Sequence, residues 1–364
     1  MSPVRVLQLS KYYPPTFGGL ELVAQFLSRA LRDAGHPVDV LSLGAGARRY
    51  AGDFGEEVWQ ENEDLKLSSA PFSVGQVRAF RRLLRERTPR LILVHLPHPF
   101  AHALVHHHRA ELRGLGVKVV GVYHSDIINQ VLLRDAYNLF FLSQTDVYER
   151  FLCASPNLRD SSSILSRLPR SRVGVIPFCA EAIPGERWSL AQSSRAYLAI
   201  GRLVPYKGLE FLIETFNRLA LPLTVAGSGP LEEKLRSLAG PTVTVLGKVS
   251  EEQKYQLLRS HRALVMSSIN RSEAFGMTIV EAFSIGLPVI AADIDTGVSF
   301  LVRDEDTGLK FPILDAAELA RQVRRLDGDD ALAERLSRRG LEFFQRELCY
   351  EAFRGNLQRF VAAL

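Results

Sequence analysis

Short apolar runs alternate with stretches whose apolar residues recur at helical spacing, the pattern of parallel strands joined by crossover helices. Residues 4–9, VRVLQL, read as a buried strand. After the turn-rich Pro14, Pro15, Gly18 and Gly19, the positions Leu20, Val23, Ala24, Leu27, Ala30, Leu31 and Ala34 keep helical spacing up to Gly35, which predicts a helix. Further strands are predicted at 38–42, 91–95, 118–123 and 173–176, making one open sheet. The pattern then restarts, with strands at 196–200, 222–226, 242–246, 263–267 and 288–292 and helices at 208–219, 230–238, 251–259 and 277–285. The predicted class is therefore α/β, with two Rossmann-like units in tandem. The break lies near Pro177–Pro184, so the first domain is expected over 1–176 and the second from 177. The tail from about Ala331 is helical by pattern and sets Phe353, Leu357 and Phe360 on one stripe. Two such sheets facing each other would place the carboxyl ends of their strands, where open α/β folds bind ligands, on the walls of a central cleft.

At 364 residues with 46% hydrophobic and 23% charged positions, the chain can fill two ordinary cores without disulfides or a structural metal. Cys153, Cys179 and Cys349 are odd in number and widely spaced, which fits neither paired bridges nor a zinc set and points to the cytoplasm. The start, MSPVRVLQLS, lacks a secretory signal, and no apolar run reaches the ~18 residues of a membrane span. A soluble or peripheral protein is expected. The net charge is +5, and the excess sits in the first 176 residues, with 22 Lys+Arg against 16 Asp+Glu, while the rest carries 23 against 24. Its densest part, Arg78, Arg81, Arg82, Arg85, Arg87 and Arg90, is interleaved with Val77, Phe80, Leu83 and Leu84. That pattern is either a solvated helix face or an amphipathic helix meeting an anionic membrane. Nothing accompanies it that would suggest nucleic acid.

Candidate chemistry concentrates in Arg271–Pro288, RSEAFGMTIVEAFSIGLP. Glu273 and Glu281, eight residues apart, would stand ~12 Å apart along a helix axis, beyond the ~5–9.5 Å of glycosidase pairs. They are expected to hold opposite ends of a long ligand, with Ala274, Phe275, Gly276 and Met277 opening a helix whose N–H groups favour phosphate. The plain alternative leaves Glu281 solvated and makes Glu273 a first-turn carboxylate. In GRLVPYKG (201–208), Arg202 and Lys207 bring two cations to a strand's carboxyl end, suited to a diphosphate without a metal. GSGP (227–230) can be only a tight turn.

In the first half, Phe17, Gly18, Gly19, Leu20 and Glu21 follow strand one, and the glycines allow close backbone approach to phosphate or sugar. The dinucleotide fingerprint G-x-G-x-x-G is absent from this turn, which counts against a nicotinamide or flavin enzyme. His124, Ser125 and Asp126 end a strand; His124 either meets a donor-sugar hydroxyl or caps the next helix. The clustered His95, His98, His102 and His106–His108 carry no metal motif, and no metal is expected.

Together, PPTFGGLE, HSD at 124–126, GRLVPYKG and SEAFGMTIVEAFSIGLPVI resemble the retaining glycosyltransferases of family 4, which have the GT-B fold. The likeness spans nearly the whole chain in order and is nearest in character to bacterial mannosyltransferases of O-antigen and exopolysaccharide assembly. It implies that Glu281 binds the donor's ribose and Glu273 its hexose hydroxyls. It also implies that Arg202 and Lys207 grip the diphosphate, that Gly18 and Gly19 close over the donor, and that His124 meets the sugar near its primary alcohol. Catalytic roles are thus expected for Arg202, Lys207, His124 and Glu273. Donor binding is expected at Gly18, Gly19, Ala274, Phe275, Gly276, Met277 and Glu281. By the same likeness the donor domain would run over 177–345, and a last helix, 346–364, would cross back onto the first domain.

The implied activity is transfer of a hexose, mannose from GDP-mannose, onto a hydroxyl of a polyprenyl-diphosphate-linked surface glycan. The configuration is retained and neither metal nor cofactor takes part. The implied place is the cytoplasm, at the inner face of the membrane. The alternatives are a UDP-sugar-dependent relative, a phosphorylase or epimerase using the same site, or a non-catalytic sugar-nucleotide-binding subunit.

Overall fold

The computed structural model describes residues 3–16, 18–67, 70–128 and 131–364. Phe17, part of the first glycine-rich turn, lies outside them. The chain forms two compact units: residues 1–177 together with Phe353–Leu364, and Phe178–Ala352. The expected divisions stand after residues 176 and 345; the units divide after Pro177 and after Ala352.

The first unit begins with β1 (Val6–Leu9), α1 (Gly19–Asp33), β2 (Val38–Gly44), β3 (Arg48–Ala51), β4 (Glu57–Asn62), the hairpin β5 (Leu65–Leu67) and β6 (Ala70–Phe72), and α2 (Val74–Arg87). It continues with β7 (Leu91–Leu96), α3 (Pro99–His107), α4 (Arg109–Gly114), β8 (Lys118–Tyr123), α5 (Val131–Leu142), β9 (Arg150–Cys153), α6 (Pro156–Ser161) and β10 (Val173–Val175). Eight strands lie in the order β10-β9-β8-β7-β1-β2-β4-β3. All run parallel except β3, which pairs antiparallel with β4. The central β7, LILVHL, is buried at all six positions, as a parallel strand covered on both faces must be. The chain leaves β1 toward β2 and later returns to β7 on the other flank, so the switch point lies between β1 and β7.

α2 carries the arginine cluster, and its apolar stripe is not available to a lipid surface. Phe80, Leu83 and Leu84 are buried in the same core as Ile92 and Val94. The arginines point outward: Arg82 pairs with Glu86 at 2.8 Å, and Arg81 Nε donates to His108 Nε2 at 3.2 Å. Charge is most of what this helix presents to solvent, so the interleaved Phe80, Leu83 and Leu84 pack the core and leave only the charged face for an anionic surface to meet.

The second unit contains β11 (Tyr197–Ile200), α7 (Leu209–Leu219), β12 (Leu223–Ala226), α8 (Glu232–Leu238), β13 (Val243–Gly247), α9 (Glu251–Ser260) and β14 (Ala263–Met266). There follow α10 (Met277–Ile285), β15 (Val289–Ala292), α11 (Gly297–Leu301), β16 (Leu309–Phe311), α12 (Ala316–Gly328), α13 (Asp330–Phe343) and α14 (Tyr350–Ala362). Its six parallel strands lie in the order β13-β12-β11-β14-β15-β16. Here the switch point is between β11 and β14. From Phe353 onward, α14 belongs to the first unit. There Phe353, Leu357 and Phe360 are buried, and the Phe360 ring packs over Gly174 of β10 and beneath the Arg150 guanidinium of β9, 4.8 Å from its centroid.

Candidate active site

The loops after β11 and β14 meet at the second unit's switch point. Ile269 N–H donates to the Tyr206 carbonyl at 2.8 Å, and Ser267 Oγ donates to the Lys207 carbonyl at 2.9 Å. These bonds join two segments that are 60 residues apart in sequence. Between them, Lys207 Nζ donates to Glu273 Oε2 at 2.6 Å, and Ser268 Oγ donates to the same oxygen at 3.0 Å. Both side chains of the pair are largely buried, at 14% and 10% exposure. A pair so enclosed is held by its own attraction and the Ser268 hydrogen bond against the cost of desolvation, and losing one partner leaves an uncompensated charge.

The Glu273 segment is braced from behind. Thr296 Oγ1 donates to the Glu273 carbonyl at 2.8 Å, and Gly297 N–H donates to that of Ala274, also at 2.8 Å. Phe275 is buried and meets Phe178 edge-on at 5.3 Å. Gly276, with φ +92°, starts α10, and helix geometry leaves the first-turn N–H groups of Met277 and Thr278 without intrahelical acceptors. With no acidic side chain in that first turn, the helix start is open to an anion.

Because α10 begins only at Met277, the helical geometry behind the ~12 Å expected between Glu273 and Glu281 does not span the pair. Only Met277 to Glu281 is helical, ~6 Å of rise, and the loop sets the rest. Glu281 has its own cation: Lys254 Nζ on α9 donates to Glu281 Oε1 at 2.8 Å and to Glu251 Oε2 at 2.7 Å. Burial raises the Glu281 carboxyl above its ordinary range, with Lys254 pulling the other way. Burial lowers Lys254, but the two carboxylates outweigh it and hold the ammonium above its usual value. Each acid of the Glu-x7-Glu segment thus meets one lysine, each contributed by a different neighbouring element.

Arg202 is exposed and donates to the Tyr206 hydroxyl at 3.1 Å, so of the two loop cations it is the one free to swing. The GSGP turn is more than a turn. A Cβ on Gly227 would overlap the Gly201 carbonyl and one on Gly229 that of Leu203, so these glycines let the two loops stack backbone on backbone.

The remaining candidates lie in the first unit, at or beside its own switch point. Gly18 caps α1 and Gly19 begins it, with the Glu21 carboxylate standing close to Gly18. An acid already complements this helix start, which makes it less receptive to phosphate than the start of α10. His124 is 2% exposed, and its Nε2 lies 2.9 Å from His95 Nδ1. Asp126 is pinned as an acceptor by the Tyr123 and Ser162 hydroxyls at 2.8 and 2.6 Å. The other clustered histidines disperse to separate partners: His102 Nδ1 lies 2.9 Å from the Tyr148 hydroxyl and His108 Nδ1 2.9 Å from the Leu104 carbonyl. Among the described residues no group of side chains could hold a metal ion, and no helix is long and apolar enough to cross a membrane.

Lys254 and Ser268 escaped the sequence reading, and Gly227 and Gly229 were read there as able to be no more than a tight turn. For Lys254 a signal existed: it lies one turn before the buried Leu258, on the inward face of α9.

Comparison with known proteins identifies the class. The family model for glycosyl transferases group 1 matches residues 186–343, and that for Glycosyltransferase Family 4 matches residues 17–179. The chain belongs to glycosyltransferase family 4 and has the GT-B fold. It is 30% identical over 370 residues to the O-antigen chain mannosyltransferase C of Escherichia coli, covering 96% of this chain and 97% of that one. It is 32% identical to the D-rhamnosyltransferase WbpZ of Pseudomonas aeruginosa, over 82% of this chain and 80% of that one. Among solved structures it resembles the sucrose-phosphate synthase of Thermosynechococcus elongatus, with a TM-score of 0.81 at 20% identity and 99% of both chains covered. Anabaena HepE, solved with UDP and glucose, gives 0.76 at 15% identity, covering 99% of this chain and all of that one.

Proposed function

We propose that this glycosyltransferase moves mannose, with retention, from GDP-mannose to a hydroxyl of a lipid-linked bacterial surface glycan. The observation that carries the reading is the union of Lys207, Glu273 and Ser268 at the β11/β14 switch point, beside a helix start with no acid of its own. Negative charge grows on the leaving diphosphate, so Arg202, Lys207 and the first N–H groups of α10 stabilise the transition state more than the ground state. Glu273 orients Lys207 and takes hexose hydroxyls, Glu281 takes the ribose, and His124 meets the sugar. Ala274, Phe275, Gly276 and Met277 line the donor, and Gly18 and Gly19 serve donor binding through their backbone N–H groups. The chemistry requires no metal in this scheme, since cations and helix-start dipoles supply the electrophilic groups.

The Escherichia coli relative, named an O-antigen chain mannosyltransferase, supports mannose as the sugar and a surface glycan as the acceptor. Two observations favour second readings of the donor. HepE was solved with UDP and glucose, and a relative is named for D-rhamnose, which lacks the primary hydroxyl of mannose. The charged outer face of α2 supports attachment to an anionic membrane by electrostatics alone.

The test is a thermal-shift screen of GDP- and UDP-sugars, in which a donor at 100 times its Kd adds ~2.7 kcal/mol of stability. Transfer to a polyprenyl-diphosphate glycan then follows, with the anomer of the product read by NMR and the rate compared with and without EDTA. Stabilisation by UDP-sugars alone would replace the donor. An inverted product would remove the retaining mechanism, and binding without transfer to any acceptor would leave a binding subunit. Anionic vesicles that fail to retain the protein at low salt would end the membrane reading.

A further inference from the structure

The first unit buries a file of polar side chains of which the scheme above uses only the first. It starts at His124, at the end of β8, where Nε2 lies 2.9 Å from His95 Nδ1 and the two rings stack at 5.1 Å. His95 Nε2 lies 2.9 Å from Gln8 Oε1 on β1. Gln8 Nε2 donates to Ser28 Oγ at 2.6 Å and to the Ala24 carbonyl at 3.3 Å, both on α1. Beyond them the Tyr13 hydroxyl lies 2.8 Å from Ser28 Oγ and donates to Glu56 Oε1 at 2.6 Å. Gln8, Ser28 and Glu56 are wholly buried, and His95 is 5% exposed.

Counting protons along this file gives it a direction. A backbone carbonyl only accepts, so the Gln8 group facing Ala24 is its NH2 and the atom facing His95 is its carbonyl oxygen. That oxygen needs a donor, so His95 carries its proton on Nε2. Burial holds His95 far down, to about 3, and pushes His124 well below its ordinary value, so both rings are neutral at pH 7. A neutral His95 protonated on Nε2 offers a lone pair at Nδ1. The group opposite must then be an N–H, which is His124 Nε2.

We propose that Gln8 and His95 are positioning residues that lock His124 in its Nε2–H tautomer, with Nδ1 deprotonated. The other tautomer would oppose two lone pairs 2.9 Å apart inside the core. The file beyond Gln8 ends on the Glu56 carboxylate, an obligate acceptor when ionised, which keeps every donor oriented away from His124. The sugar contact rests on the reading of His124 given under Proposed function; the tautomer does not.

Two-bond 1H–15N correlation spectra of the full chain labelled with [15N]histidine read the tautomer directly, with His124 assigned from a His124→Gln sample. The expected pattern between pH 6 and 8 is a protonated Nε2 and a bare Nδ1. In His95→Asn the carboxamide oxygen takes the place of Nδ1, and the pattern should persist; in His95→Leu it should become mixed. A proton on Nδ1 in the wild type overturns the proposal, as does an unchanged His124 spectrum in His95→Leu. The wild-type spectrum decides even where a variant does not fold. For the sugar contact, affinities for GDP-mannose and GDP are compared. The preference for GDP-mannose should fall about tenfold, the worth of one hydrogen bond, in His95→Leu and hold within about threefold in His95→Asn. Equal binding of GDP-mannose and GDP by a wild type whose tautomer is locked would overturn the contact and uphold the lock.

Discussion

Lys207 and Lys254 each hold one acid of the Glu-x7-Glu segment, and their removal should have different consequences. Lys207→Ala strands the buried Glu273 and removes an electrostatic contact worth ~3 kcal/mol to a transition state. Turnover should drop by two orders of magnitude or more in a donor-hydrolysis or transfer assay; a loss under threefold would take Lys207 out of the mechanism. Lys254→Met acts on the nucleotide instead. In the proposed scheme an ionised Glu281 accepts from ribose hydroxyls more strongly than the neutral acid, and its carboxyl already sits above the ordinary range. Without Lys254 it rises further. Affinity for GDP should weaken about tenfold and should recover as pH climbs through the raised value, while Glu281→Gln should bind weakly with no such dependence. The stability term has the opposite sign: a raised carboxyl favours the fold below the ordinary carboxylate range and loses that contribution as pH rises through the folded value. Calorimetric titrations between pH 5.5 and 8 check both, and a pH-independent Kd in Lys254→Met would break the link between this pair and the nucleotide. The acids and the loop cations were legible from residue type and position. Lys254 was not, because its role depends on which helix packs beside α10.

At the scale of elements, the site rests on two loops that stack through glycines. Gly227 has φ +140° and faces the Gly201 carbonyl at a distance that admits no Cβ. Gly227→Ala should therefore cost more than ~2 kcal/mol in urea unfolding of the second unit, from backbone strain and overlap together. Gly328→Ala, where a Cβ meets nothing within 4 Å, should be neutral or slightly stabilising. Comparable losses in the two variants would show that the stacking carries no special strain. Most of the strands and helices of the second unit were readable from periodicity, since its parallel strands are short apolar runs between amphipathic helices. The first unit was less so. The β3–β4 edge, where β3 is mostly exposed and Arg49 lies over the Trp59 ring at 3.5 Å, has no clean alternation to read. The arginine helix carries the opposite lesson, because a stripe fit for a membrane is equally fit for a core.

The whole molecule distributes its buried histidines unevenly. Burial drives His95 and His98 to about 3 and His102 to about 4, with His124 also well down, and all four are in the first unit. The folded unit refuses protons that the unfolded chain binds below about pH 6.5, so each histidine withdraws about 1.4 kcal/mol per pH unit through the window down to its folded value. Calorimetry at pH 7 and pH 5 should show the first unit's transition falling ahead of the second's, and an unmoved transition would mean these rings are solvated or charged. Taken alone, the order of residues determined the α/β class, the two repeats and the segments that carry charge and glycine. Those follow from local periodicity and from which side chains a strand's end can project. Tertiary packing decided which lysine meets which acid, that the GSGP turn supports the loop carrying Arg202 and Lys207, and that His124 points inward to His95. The lysine–acid and histidine pairs lie 27 to 66 residues apart in sequence, and only the order of strands in each sheet brings them within hydrogen-bond reach.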